Sequence, residues 1–220
     1  MSAVDLTNRR PPAVPPRPTP GLFPPWAKGV VFVLAAAPAA WLVFAAATDR
    51  LGANPAEALL RGTGDWTLRL LCATLAVTPL RQFTGWAALA RFRRMLGLFT
   101  FFYALLHALA WAGFDQGFDG TDMLRDVARR PFILVGFTAF VLLVPLAATS
   151  FNRAIRALGA ARWQALHRLV YAVAVLAVLH FFWMRAGKND FAEVTVYAAV
   201  LGLLLGARGL RWLRNLKKTA

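Results

Sequence analysis

Apolar residues fall in long uncharged runs, separated by polar stretches rich in arginine or aspartate. Six runs stand out, at roughly Gly29–Ala47, Leu68–Phe83, Leu96–Phe114, Pro131–Ala148, Ala165–Met184 and Phe191–Ala207. Each is near the ~20 residues with which a helix crosses a ~30 Å hydrocarbon layer. Inside such a layer backbone groups must bond within their own segment, so the runs predict helices. None alternates with the period of two that a barrel strand requires. The second run is the weakest, being short and carrying Arg69 near its start. Pro38 and Pro145 lie within runs, where neighbouring helices can accommodate them. Trp26, Trp66, Trp86 and Trp183 sit near run ends, where interfacial anchors belong. The pattern predicts an all-α integral membrane protein, a six-transmembrane-helix bundle.

Charge orients this bundle. With each charge at a run end counted to the segment beside it, the segments before the first run, between the second and third, between the fourth and fifth, and after the sixth hold 17 Lys/Arg and one acid, Asp5. The alternate segments hold 8 basic and 9 acidic residues. Positive-inside bias therefore places the N- and C-termini and the Arg-rich loops in the cytoplasm. The divisions expected are a Pro/Arg-rich cytoplasmic tail over 1–28, the six-helix domain over 29–210 and a basic cytoplasmic tail over 211–220. The first tail (PPAVPPRPTP, then FPPW) reads as extended and solvated, without the small-residue cleavage site of a signal peptide. A net charge of +15 raises nucleic acid as a partner. That is rejected, because the basic residues flank apolar runs and form no separate polar domain. On the opposite side FDQGFDGTDMLRD (Phe114–Asp126) reads either as a solvated connector or as a docking surface for a partner outside the membrane. The single cysteine, Cys72, excludes an intrachain disulfide and reads as a small packing residue.

The candidate chemistry lies in three histidines, His107, His167 and His180. An ionisable side chain within a bilayer is costly and marks a functional site by default. The bland alternative is a neutral imidazole bonded to a backbone carbonyl between helices. His107 follows Arg94 by 13 residues and His180 follows Arg168 by 12. Both therefore stand roughly 18–20 Å from the inner boundary, at one depth. Two imidazoles at one level on neighbouring helices can hold one haem iron from both sides, which suits electron transfer. Thr100, Tyr103, Ala104 and Trp111 share the face of His107. Val173, Leu176, Ala177 and Trp183 share that of His180. His167 lies near the inner boundary, about 20 Å from His180 along the axis and turned by about 140° on a straight helix.

The stretches RRMLGLFTFFYALLHALAW (Arg93–Trp111) and WQALHRLVYAVAVLAVLHFFW (Trp163–Trp183) resemble the haem-binding membrane subunits of the bacterial MsrPQ systems. Those subunits belong to the ferric-reductase-like transmembrane superfamily. The resemblance runs from about Gly29 to Arg214. It implies a multi-pass bacterial inner-membrane protein carrying haem b, one or two, and FMN. It implies electron delivery to a periplasmic molybdopterin-containing catalytic subunit that repairs oxidised methionine in periplasmic proteins. The donor would be a cytoplasmic flavin reductase or quinol, since the chain carries no Gly-rich dinucleotide fingerprint. Two-haem members of the superfamily resemble a pattern of two histidines on the third helix, fourteen apart, and two on the fifth, thirteen apart. Here His107 and His180 fill the outer pair as axial ligands. His167 is the inner candidate, but Arg93 stands where its partner would be. Arginine is normally protonated and a poor ligand, so Arg93 is read as a haem-propionate or flavin-phosphate contact.

Two further readings stay open: a stand-alone transmembrane ferric or quinone reductase, and a non-redox transporter or scaffold. No acid lies well inside a run, which counts against a carrier. No nucleophile, acid–base pair or open metal site makes the chain a catalyst by itself.

Overall fold

The computed structural model describes Pro24, Trp26–Gly187 and Asn189–Thr219, with the side chains of residues 212 and 215–219 left aside. Most of the expected tail over 1–28 lies outside the described residues. Within them the chain is helical, without strands. Helix α1 spans Ala27–Ala47, α2 Pro55–Thr84, α3 Ala90–Ala110, α4 Gly120–Arg129 and α5 Pro131–Ala148. Then come α6 (Asn152–Leu158), α7 (Ala160–His167), α8 (Leu169–Ala186) and α9 (Ala192–Thr219). Five stretches among the described residues are long and apolar enough to cross a membrane: Ala27–Ala47, Ala87–Asp115, Pro131–Ala148, Ala160–Ala186 and Ala192–Arg211.

The expected second span is the exception. Helix α2 has 30 residues, about 45 Å of helix, and starts well before Leu68. Asn54 caps it by accepting the Glu57 N–H at 3.1 Å, and Pro55 occupies the first turn, where its missing N–H costs nothing. The added turns bring in Glu57, Arg61 and Asp65, whose charges hide the helix from a hydropathy reading. The same extension corrects Trp66, which is no run-end anchor. It packs against the core cluster of Ala35, Leu70 and Tyr103.

The main core joins Leu71 and Leu75 of α2, Ala104 of α3, Leu143 of α5, Val173 and Ala174 of α8 and Leu201 of α9. Cys72 packs against it, half-buried. The tightest pairings are α2 on α3 and α5 on α8. These pairings set the site, because α3 and α8 carry the histidines.

Two prolines open helical ladders inside the bundle, and two polar side chains close them. At Pro38 in α1, the fully buried Tyr103 inserts its hydroxyl, donating to Ala35 O at 2.9 Å and accepting from Ala39 N–H at 2.8 Å. In α2, Pro79 has no N–H to offer the carbonyl of Leu75, four residues earlier. The Arg208 guanidinium donates to that carbonyl from α9 and lies over the Tyr171 ring at 5.6 Å. Arg208→Leu would leave the Leu75 carbonyl unpaired, at a cost of about 1–3 kcal/mol. A lowered apparent melting temperature in a fixed detergent would report it, and an unchanged one would show another donor has taken over.

The aspartate-rich stretch Phe114–Asp126 is not all connector. A π turn, Trp111–Asp115, extends α3, and the stretch then enters α4. The Asp119 carboxylate caps α4 by accepting the N–H groups of Thr121 and Asp122, which holds its pKa below the usual carboxylate value. Asp126 is nearly buried and accepts from Trp111 Nε1 at 3.1 Å and Gln116 Nε2 at 3.0 Å, while pairing with Arg130 at 2.9 Å. Helix α4 is thereby fastened to the C-terminal end of α3.

Candidate functional site

His107 on α3 and His180 on α8 meet inside the bundle, with ring centres 6.2 Å apart and planes at 79°. Each is held by a neighbouring helix. His107 Nδ1 bonds Leu60 O of α2 at 2.9 Å, and His180 Nδ1 bonds Phe132 O of α5 at 2.7 Å. A carbonyl only accepts, so each Nδ1 must carry the proton. Each Nε2 is then left as the lone-pair nitrogen, the form in which imidazole ligates a metal.

Two glycines make these contacts possible. A Cβ at Gly64 would stand 3.1 Å from His107 Cε1, and one at Gly136 would stand 2.6 Å from His180 Nδ1. The two cradles repeat one motif. Gly64 follows Leu60 by four residues and Gly136 follows Phe132 by four, so each glycine sits one turn beyond the accepting carbonyl. The bare backbone admits the ring edge to the carbonyl. Sequence reasoning passed over all four residues. A signal was available for one of them: Gly136 is the single glycine inside the run Pro131–Ala148, a position that costs about 1 kcal/mol relative to alanine, whereas Gly64 lies ahead of the expected second run, beside Gly62.

The pair fits a haem iron by chemistry and by spacing. Imidazole nitrogens bind transition metals at about 2.0–2.1 Å, so rings on opposite sides of one ion have centres roughly 6 Å apart. Among the described residues no group of three or more His, Cys, Asp or Glu could hold a bare metal ion. A donor set of two imidazoles suits an iron whose other ligands come from a macrocycle.

The surrounding faces agree in part with the sequence reading. Thr100, Tyr103, Ala104 and Trp111 are all buried. On α8 Val173 is buried, but Trp183 is exposed, and Ala174 and Phe181 take the inward positions. Trp183 is exposed together with Phe182, although it stands only three residues beyond His180.

His167 stands apart from this pair. It ends α7, and a tight i→i+3 turn at Arg168 separates it from α8, so the straight helix assumed from sequence is broken there. Its ring stacks on Trp163 at 3.8 Å, its Nδ1 bonds Trp163 O at 3.0 Å, and its Nε2 lies 3.4 Å from Ser150 Oγ. His167 and Arg93 do meet, as liners of one cavity of ≈ 280 Å³ with Arg94, Thr74, Thr100 and Ser150. The Thr74 and Thr100 hydroxyls are 3.4 Å apart in its wall. Arg94 is turned to Asn152 Oδ1 at 2.7 Å.

The fold and the paired histidines define a class. Residues 63–178 match the family described as ferric reductase like transmembrane component, a span that includes His107 and His167 and stops just short of His180. The chain is accordingly a multi-pass membrane protein. It is 66% identical over 187 residues to a protein-methionine-sulfoxide reductase heme-binding subunit MsrQ of Polaromonas naphthalenivorans, covering 85% of each chain. It is 60% identical to the subunit so named in Ralstonia nicotianae, over 81% of this chain and 82% of the relative. The corresponding protein of Herminiimonas arsenicoxydans is 51% identical, over 88% and 89%. No solved structure matches. The chain belongs to the MsrQ family of heme-binding subunits.

Proposed function

We propose that this chain is the haem b-carrying electron-transfer subunit of a protein-methionine-sulfoxide reductase system, with His107 and His180 as axial ligands. The observation that carries the reading is the pair of imidazoles, each with Nδ1 fixed on a carbonyl and Nε2 left to ligate. Haem held by these two rings would supply a one-electron iron couple. The chain's own work is to hold both rings in the ligating tautomer and to exclude water with Tyr103, Val173 and Ala174, none more than 1% exposed.

The reading extends to a six-span bundle in a bacterial inner membrane, with α2 as the remaining span and both termini cytoplasmic. The basic residues at one end of the bundle support that orientation. Electrons would enter at that end from a flavin reductase or quinol and leave for a periplasmic molybdopterin-containing catalytic subunit. The cavity of His167 and Arg93 is the place for an inner redox group, a second haem or FMN. There Arg93 would meet a propionate or phosphate, and Ser150 and Trp163 fix the His167 ring.

The test is an absorption spectrum of the purified protein, oxidised and dithionite-reduced. Low-spin b-type bands are expected. A colourless, folded protein expressed with ample haem would refute the reading. His167→Ala is expected to leave the spectrum of the His107–His180 centre largely intact. If that variant folds but loses all haem, the division into an outer and an inner position is wrong.

A further inference from the structure

Among the described residues, one end of the bundle carries no carboxylate side chain. Eight of the ten Asp and Glu residues lie in the α1–α2, α3–α5 and α8–α9 connections or the adjoining helix turns, Asp65 lies about three turns into α2, and the tenth is Asp5. The other end carries Arg81, Arg93, Arg94, Arg208, Arg211 and Arg214. Counter-charge for these cations must come largely from outside the chain.

At that end a groove of ≈ 640 Å³ runs between the last turns of α2 and the middle of α9. Pro79, Leu80, Phe83 and Leu204 form its walls, and its polar liners are Gln82 and Arg211. Leu80 and Phe83 are 49% and 93% exposed, so the groove opens onto the lipid-facing surface. The apolar span of α9 runs from Ala192 to Arg211, 20 residues or about 30 Å, which sets Arg211 at the level of the headgroups. Arg208, three residues earlier, is committed to Leu75 O, and its charge bears on Arg211 as a second cation. No ion pair engages Arg211 among the described residues.

We propose that this groove binds an anionic phospholipid of the surrounding leaflet. The phosphate would rest on Arg211 and the Gln82 amide, with an acyl chain along Leu80, Phe83 and Leu204. A basic pocket between membrane helices at a headgroup boundary has the chemistry for such a lipid. A quinol fits less well. Its oxidation releases protons, and neither an always-protonated guanidinium nor an amide accepts one. The inference is independent of the haem reading.

The test is native mass spectrometry of the purified chain released from detergent, with dioleoyl-phosphatidylglycerol or dioleoyl-phosphatidylethanolamine added at matched concentrations. Wild type is expected to retain phosphatidylglycerol preferentially, and Arg211→Gln to lose about fivefold of that affinity. Arg211→Lys should keep most of it, and Arg211→Glu should abolish it, with helicity by circular dichroism unchanged throughout. Equal retention of the two lipids by wild type would overturn the proposal. So would an unchanged preference in Arg211→Glu, or a short-chain ubiquinone that binds the groove where phosphatidylglycerol does not.

Discussion

His107→Ala and His180→Ala, made singly, are each expected to abolish the low-spin b-type spectrum of the proposed haem centre. On the proposed ligation the effect is all-or-none, because both rings would hold one iron. Removing either would leave the haem with a single protein anchor, not a half-strength version of the original. The protein itself should survive. Each ring makes one bond to a carbonyl, worth about 0.5–1.5 kcal/mol net, and the main core of Leu71, Leu75, Leu143 and Val173 is untouched. The measurement is haem per folded chain, from the pyridine haemochrome spectrum and circular dichroism on the same sample. Full low-spin haem in either folded variant would exclude that histidine as a ligand. If both variants keep it, the centre lies elsewhere.

Gly136→Ala is expected to come close to His180→Ala, although it removes no ligand. The new Cβ would stand 2.6 Å from His180 Nδ1, and that nitrogen is held against Phe132 O at 2.7 Å. The ring cannot retreat while keeping its hydrogen bond. Once it lets go, the fixed tautomer and the aim of Nε2 go with it. Gly64→Ala is milder, since its Cβ would meet His107 at 3.1 Å and a shift of a few tenths of an ångström relieves it. It should keep haem with an altered reduction potential. Gly206→Ala provides the control, having nothing within 4 Å of its added carbon. It should be neutral or stabilising by about 0.4–1 kcal/mol. Equal haem content in Gly136→Ala and Gly206→Ala would mean that His180 has room the packing does not show.

Much of this was legible along the chain. Spans α1, α3, α5 and α8 follow from apolar runs, because a hydrocarbon solvent tolerates little else. The common level of His107 and His180 could be counted from Arg94 and Arg168, because a helix rises by a fixed step per residue. Helix α2 was harder to read, since Arg61 and Asp65 interrupt its hydropathy while Asn54 and Pro55 start it by local capping chemistry.

What the sequence could not supply is which backbone faces which ring. Leu60 and Gly64, or Phe132 and Gly136, are ordinary residues until α2 packs on α3 and α5 on α8. The same packing brings Arg208 to the carbonyl that Pro79 leaves open, 133 positions from Leu75. Periodicity and charge act along one segment against a uniform solvent, so they can be read one residue after another. The tautomer of a histidine depends on a single acceptor atom on another helix, and only the assembled bundle decides where that atom is.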